Sequence, residues 1–221
     1  ALTAAFVAAR QGATAAPVPA PPSGPERLLA AWREQPVTRP AMDLTPHSMG
    51  SAEAPVQIVV FGDYQDEGTQ KLDDRLRAIA DADPRVRYAF RHFPADQKCN
   101  PTVARSFHPL ACRLARTAEA AAAVGGEDAF WKVHAFILAH HQAYTDADLR
   151  AYCEEQGLGA GAILKGRDDK AIADTLADDI TAGQALGVTE LPWLLVNNRR
   201  VPRWTLDQGD ILDRLIDEAA K

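Results

Sequence analysis

The stretch that most constrains what this chain can fold into is Val56 to Leu76, VQIVVFGDYQDEGTQKLDDRL. Val56 to Phe61 is a short run of β-branched and aromatic residues broken only by Gln57, the length and composition of a buried strand. The run stops at Gly62. Beyond Asp63-Tyr64-Gln65-Asp66-Glu67 and the Gly68-Thr69 pair, Leu72, Leu76 and Ile79 recur three or four apart, as on one face of a helix. A strand that turns directly into a helix puts Asp66, Glu67 and Thr69 at the helix N-terminus. Unpaired backbone N–H groups and the positive end of the helix dipole favour an anion or an acceptor oxygen there, and many α/β enzymes use such a place for a phosphate or a thiolate. Asp83-Pro84 stops the helix, and Val86–His92 reads as a second strand. A helical crossover of this length sets the two strands parallel.

After a polar loop, Pro94 to Pro109, an Ala-rich helix is predicted from Leu110 to Val124, closed by Gly125-Gly126. Phe130, Trp131, His134, Ile137 and Leu138 mark a third helix by their spacing. Thr145-Asp146-Ala147-Asp148, a capping box with Asp in place of Glu, opens a fourth through Glu155, and Gly157 stops it. Lys170 to Leu186 repeats helical spacing. Trp193–Val196 and Arg199–Trp204, joined at Asn197-Asn198, carry a hairpin signal, and a last helix runs from about Gly209 to Ala219.

Ahead of this body, Glu26 to Glu34 reads as a short amphipathic helix with Leu28, Leu29 and Trp32 on one side. Ala13 to Pro25 holds five prolines, as in a semi-rigid linker. Ala1 to Ala9 is apolar but far short of the ~20 residues that cross a membrane. With no Met before it, it reads either as the tail of a signal peptide or membrane helix or as a frayed terminal helix. The expected organisation is a stub, linker and short helix over residues 1–50 and one domain over 51–221. A formal net charge of -6 leaves no clustered positive surface for nucleic acid or anionic lipid, so neither is expected as a partner. The 3 cysteines are too few for a disulfide-built scaffold, although one pair plus an odd thiol is possible.

The central stretch resembles the first strand and active-site turn of the DsbA-like branch of the thioredoxin superfamily, where a phrase like F-x-D-Y-Q-C-P-x-C opens the first long helix. The two cysteine positions are Asp66 and Thr69 here, while Phe61-Gly62-Asp63-Tyr64-Gln65 reads through without a gap. The resemblance continues in Tyr88 to Pro94, in Ala129 to His134 and in Gly187 to Asn197, so that it covers about residues 50 to 221. It implies an α/β thioredoxin-like fold with a helical insertion and a family activity of thiol:disulfide exchange. The degenerate motif positions Asp66, Glu67, Gly68 and Thr69 leave no dithiol to perform that exchange. Leu191-Pro192 matches the family's X-cis-Pro, which presents backbone to an extended peptide; this implies peptide binding by Tyr64, Glu190, Leu191 and Pro192. Cys99 and Cys112 resemble a cysteine pair of DsbA-like domains fused or related to vitamin K epoxide reductase homologues. A structural disulfide across that loop is implied, with Cys153 left as a small buried apolar residue. The same cysteines also admit a second redox pair, or a metal site with His108, although no fourth ligand and no zinc spacing accompany them.

Two readings of the turn stay open at this stage. Asp66 and Thr69 are helix caps that hold the turn folded, or Asp66 and Glu67 form an acidic recognition or catalytic feature. His92 and His134 read as core or rim histidines and His140-His141 as a helix C-terminus, without a catalytic role. The expectation is a bacterial envelope protein, periplasmic or membrane-tethered upstream of residue 1. It has no cofactor or metal and binds peptide or unfolded envelope protein. The alternatives are a thiol:disulfide oxidoreductase working through Cys99 and Cys112, and a glutathione-dependent enzyme in which Thr69 activates a bound thiol, a role that Asp66 and Glu67 oppose.

Overall fold

The computed structural model describes residues 23–38 and 47–221. The apolar stub and all but the end of the Pro-rich stretch lie outside the described residues. Along the chain the elements are α1 (Gly24–Arg33), β1 (Ser48–Met49), β2 (Val56–Gly62), α2 (Glu67–Ala82), β3 (Val86–His92), α3 (Ala111–His140), α4 (Asp146–Glu155), α5 (Ala160–Gly166), α6 (Lys170–Ala185), β4 (Trp193–Val196), β5 (Arg199–Arg200) and α7 (Leu212–Ala219). This is the mixed α/β architecture expected, a thioredoxin-like sheet with α3 to α5 inserted between its halves.

The five strands lie in the order β1-β3-β2-β4-β5. β2 and β3 run parallel from Val56 opposite Val86 to Gly62 opposite His92, as a right-handed helical crossover requires. β4 joins β2 from the other side, antiparallel, with Phe61 opposite Trp193. Val56, Ile58, Val60 and Phe61 are all fully buried, which is why this strand reads as a continuous apolar run rather than an alternating one. The hairpin turn is the predicted one: Asn197 and Asn198 take φ of 48° and 59°, the left-handed pair of a two-residue connection. Its second strand is shorter than predicted. Pairing ends at Arg200 because Pro202 has no N–H to give to a ladder.

Three further elements differ from expectation. The two helices predicted on either side of Gly125-Gly126 follow each other directly as α3, interrupted at Gly126 alone, where φ of 72° and ψ of -166° suit glycine. α5 was hidden by its glycines. α7 begins at Leu212 rather than Gly209, because Asp210 Oδ1 accepts from the Leu212 N–H at 2.9 Å just before the first turn.

The body also extends before residue 51. β1 pairs with β3, and α1 buries Leu29 and Trp32 while Arg33 meets Glu218 at 2.8 Å and Arg214 meets Glu26 at 2.8 Å. Among the described residues no helix is long and apolar enough to cross a membrane.

Candidate functional site: a hydrogen-bonded turn beside a cleft

At the head of α2, Asp66 is the N-cap residue, with φ -94° and ψ 118°. Its Oδ2 accepts from the Thr69 backbone N–H at 2.6 Å and from the Thr69 hydroxyl at 2.8 Å. The same hydroxyl accepts from the Asp63 N–H at 3.3 Å. The side chains standing where the family has its two cysteines are thus joined to each other by a hydrogen bond. Such a cap contributes about 1 kcal/mol. Thr69 is fully buried, so its hydroxyl cannot face a bound thiol, and the glutathione reading finds no support in the geometry. Glu67 lies outside this pair, exposed, 3.8 Å from Lys71. The Leu191-Pro192 peptide is cis, and Pro192 closes on the turn at Gly68, where an added Cβ would lie 3.0 Å from its Cδ.

The frame around the turn is tied down residue by residue. Asp63 accepts from the Gln65 N–H at 2.7 Å and the Ala95 N–H at 2.6 Å, and Gln65 Oε1 accepts from the Leu110 N–H at 2.7 Å. Behind it runs a buried relay. The Tyr64 hydroxyl donates to His134 Nδ1 at 2.8 Å, and His134 Nε2–H donates to Asp73 Oδ1 at 2.8 Å. Tyr88 and Arg77 donate to the same carboxylate at 2.8 and 2.7 Å. Burial holds the His134 imidazole below its ordinary value, against the pull of Asp73. Burial pushes the Asp73 carboxyl the other way, but His134 and Arg77 outweigh it and keep it below the usual carboxylate range. Tyr64 therefore supports the turn from inside. Only 1% exposed, it is not available to a peptide, which corrects its assignment as a binding residue.

Beside the turn opens a cleft of about 820 Å³. Of the residues expected at a peptide site, Glu190 and Leu191 line it, together with Asp66 of the turn, whereas Pro192 and Tyr64 do not. A second wall comes from the loop after β3, with Phe93, Val103, Phe107 and His108, and Gln184, Gly187, Val188 and Thr189 complete the lining. Phe107, 54% exposed although aromatic, was the one signal in the sequence that this polar loop carries a surface. Arg105 lies over its ring at 4.5 Å. His108 Nδ1 is 2.9 Å from Asp63 Oδ2, and this carboxylate raises the imidazole above its ordinary value despite partial burial. At the rim Glu190 pairs with Arg200, whose guanidinium lies 3.8 Å over Trp193.

That outer loop is closed by the Cys99–Cys112 disulfide, with Cα atoms 5.9 Å apart. Bonded to each other, these cysteines are not metal ligands, and His108 turns to Asp63 instead. Cys153 is free and buried, and burial raises its thiol. Asp96 and Asn100 brace the loop from within: Asp96 Oδ1 accepts from the Ser106 hydroxyl at 2.7 Å, and Asn100 Nδ2 donates to Pro94 O at 2.9 Å. His140 and His141 bond Phe136 O and Leu138 O at 2.8 Å each, a helix C-terminus as read.

Residues 57–216 match the family model described as a DSBA-like thioredoxin domain. Among curated proteins, the chain is 30% identical over 154 residues to the Na(+)/H(+) antiporter NhaA 1 of Salinispora arenicola, covering 70% of this chain and 22% of that protein. It is 26% identical over 165 residues to the Na(+)/H(+) antiporter NhaA of Nitrosospira multiformis, covering 73% of this chain and 24% of that one. The chain thus spans about a quarter or less of the length of the curated relatives it matches. Of solved structures, oxidised BdbD from Bacillus subtilis superposes with a TM-score of 0.62 at 19% identity, covering 79% of this chain and 92% of BdbD. DsbA2 from Pseudomonas aeruginosa gives 0.61 at 20% identity, covering 80% and 96%. The likeness to these structures shows the fold. Taken with the match of the family model over most of the chain, it establishes that this chain belongs to the DsbA-like thioredoxin domains, a family of thiol:disulfide oxidoreductases.

Proposed function

We propose that this domain binds an extended peptide or unfolded protein in the cleft beside the Asp66–Thr69 turn and carries out no dithiol exchange at that turn. The hydrogen-bonded Asp66–Thr69 pair carries the reading. Attack on a disulfide requires a thiolate, and neither a carboxylate nor a buried hydroxyl supplies one. The surface of a substrate groove is nonetheless complete: apolar Phe93, Val103, Phe107 and Leu191 line it, with Asp66, His108 and Glu190 as polar groups that would fix orientation. A disulfide at Cys99–Cys112 suits an oxidising compartment, and we place the domain in the bacterial cell envelope. Matched relatives are antiporters of which the chain covers about a quarter or less. A membrane segment upstream of residue 1, holding the domain beside a larger membrane protein, belongs to the same reading.

A second reading rests on Cys112. It sits in the first turn of α3 around a hollow of about 290 Å³ that four cations, Lys98, Arg113, Arg116 and Arg167, share with one acid, Asp168. Helix N-terminus and cations lower a thiol's pKa, which is what a redox cysteine needs. One assay separates the two. In insulin reduction and oxidative refolding, we expect background rates from the protein as it stands and from Cys99→Ala/Cys112→Ala. Activity abolished by the double change would move the chemistry to that pair, and activity surviving it would contradict the inert turn. Peptide binding is read separately, by titrating a labelled unfolded substrate against the wild type and Phe107→Asp, where the variant should bind weaker; equal affinity would refute the cleft.

A further inference from the structure

Away from the cleft, three polar side chains from separate parts of the chain converge in the interior: His47 just before β1, His92 at the end of β3 and Glu119 in α3. They are 4%, 0% and 5% exposed. His47 Nε2 and His92 Nε2 lie 2.9 and 3.0 Å from the same Glu119 Oε1, and one donor atom from each residue falls within 4.8 Å of the others. Neither ring nitrogen of His92 makes a well-formed hydrogen bond, although Nε2 lies 3.0 Å from Glu119 Oε1, close enough for the two groups to interact. A fully buried imidazole left so is destabilising, since buried polar atoms are nearly always partnered. His47 adds a second cost. Its φ of 48° is left-handed, uncommon outside glycine although histidine is among the residues that tolerate it best.

We infer that His47, His92 and Glu119 form a binding site for a zinc ion. Zinc ligands sit at about 2.0 to 2.2 Å, so neighbouring donors of a tetrahedral site are about 3.3 Å apart. The two N···O separations are within a few tenths of an ångström of that, and an ion at the centre would give His92 Nε2 a well-directed bond. Two imidazoles and one carboxylate are a zinc donor set that leaves a fourth position for water. The surroundings are those of a held ligand. Phe130 stacks on the His47 ring at 3.6 Å between centroids, and Glu127 Oε1 lies 3.2 Å from His47 Nδ1, near but without a well-formed hydrogen bond, where a carboxylate could orient a ligating imidazole. Glu127 is half exposed and lies just past the Gly126 break in α3, so this carboxylate borders both solvent and the cluster. The ion would join both halves of α3 to β3 and to the segment before β1. No fixed spacing relates the three ligands in sequence, which is why no metal motif could be read there. The rival occupant is a proton, shared in an ordinary buried ion pair.

The test is a titration of the chelator-treated full chain with ZnCl2 near neutral pH, followed by calorimetry and by the imidazole NMR signals of the 6 histidines. One ion per chain should bind and should shift the His47 and His92 signals, leaving His108, His140 and His141 in place. CoCl2 should give the d–d bands of a low-coordinate site. His92→Phe and Glu119→Gln should each weaken binding on the order of 100-fold or more, and Glu127→Gln by roughly 10- to 100-fold, as expected for loss of an outer carboxylate. A wild type that binds no zinc saturably would overturn the proposal. So would shifts confined to the other histidines, a result that needs no variant to fold.

Discussion

The two walls of the cleft are closed by different means. On one side the Asp66–Thr69 turn is held by hydrogen bonds and by the buried Tyr64–His134–Asp73 relay behind it. On the other, the loop bearing Phe107 and His108 is closed by a covalent bond between Cys99 and Cys112. A disulfide ignores protons and yields to reductant, whereas a carboxylate-centred network ignores reductant and yields to acid. In this chain the turn holds its shape without sulfur. A carboxylate at a helix N-terminus meets the same unpaired donors and the same dipole that would stabilise a thiolate, so the turn keeps its form without the two cysteines.

The largest effect should come from the relay. Asp73→Ala leaves His134 and Arg77 without their buried partner, and a loss of about 3 to 5 kcal/mol in urea unfolding is expected; a variant within about 1 kcal/mol of wild type would show that the turn does not lean on it. Next is the covalent wall. Cys99→Ala/Cys112→Ala should cost about 3 kcal/mol on loop-entropy grounds, a fall in Tm of roughly 6 to 12 °C. An unchanged Tm would mean that Asp96 and Asn100 close the loop unaided.

Acid should separate the walls. His134 is held below 6.5 and Asp73 below 3.8 in the folded chain, so on acidification the unfolded chain takes up each proton first. Stability from His134 is complete above 6.5 and declines as pH falls from there through its folded value, with Asp73 joining below 3.8. His47 and His108, raised instead, act on the alkaline side, where their contribution fades as pH rises through their folded values. Below 6.5, where the His47 and His108 contributions are complete, melting curves down to pH 5 should therefore fall for the wild type and flatten for His134→Gln; parallel curves would remove His134 from the account. The smallest effect is the cap itself. Asp66→Ala should cost about 1 kcal/mol, and Asp66→Cys/Thr69→Cys, by restoring the dithiol in an intact frame, should exchange disulfides. A well-folded but inert double variant would show that the groove has been remodelled too.

What was legible in the sequence followed physical regularity. β2, β3 and α2 announce themselves by buried β-branched runs and a helical face, and their parallel pairing follows from the crossover. Asp66, Thr69, Leu191 and Pro192 were found through the phrases around them. β1 was missed because two residues carry no period, and α5 because Gly159, Gly161 and Gly166 dilute its pattern. Tyr64 was misjudged because a residue at the end of a strand can point either way, and only the His134 acceptor decides it. The His47–His92–Glu119 cluster is assembled by tertiary contact alone, so its members have no spacing to read, and the cleft's outer loop, though continuous in sequence, has no period to mark it.

The sheet's margins have a consequence for life in a crowded compartment. Both outermost strands, Ser48–Met49 and Arg199–Arg200, are two residues long. The flank beyond Arg199 is occupied by Val37 in an isolated bridge, and the Thr38 N–H donates to Asn198 O at 2.7 Å. Among the described residues, then, neither margin presents the long, flat row of free backbone groups on which a second chain could build a ribbon. A domain whose proposed work is to hold unfolded, aggregation-prone chains is itself a poor seed for their aggregation. Captured segments would be directed to the side-chain-lined hollow, where contact is local and reversible, rather than into an open-ended sheet.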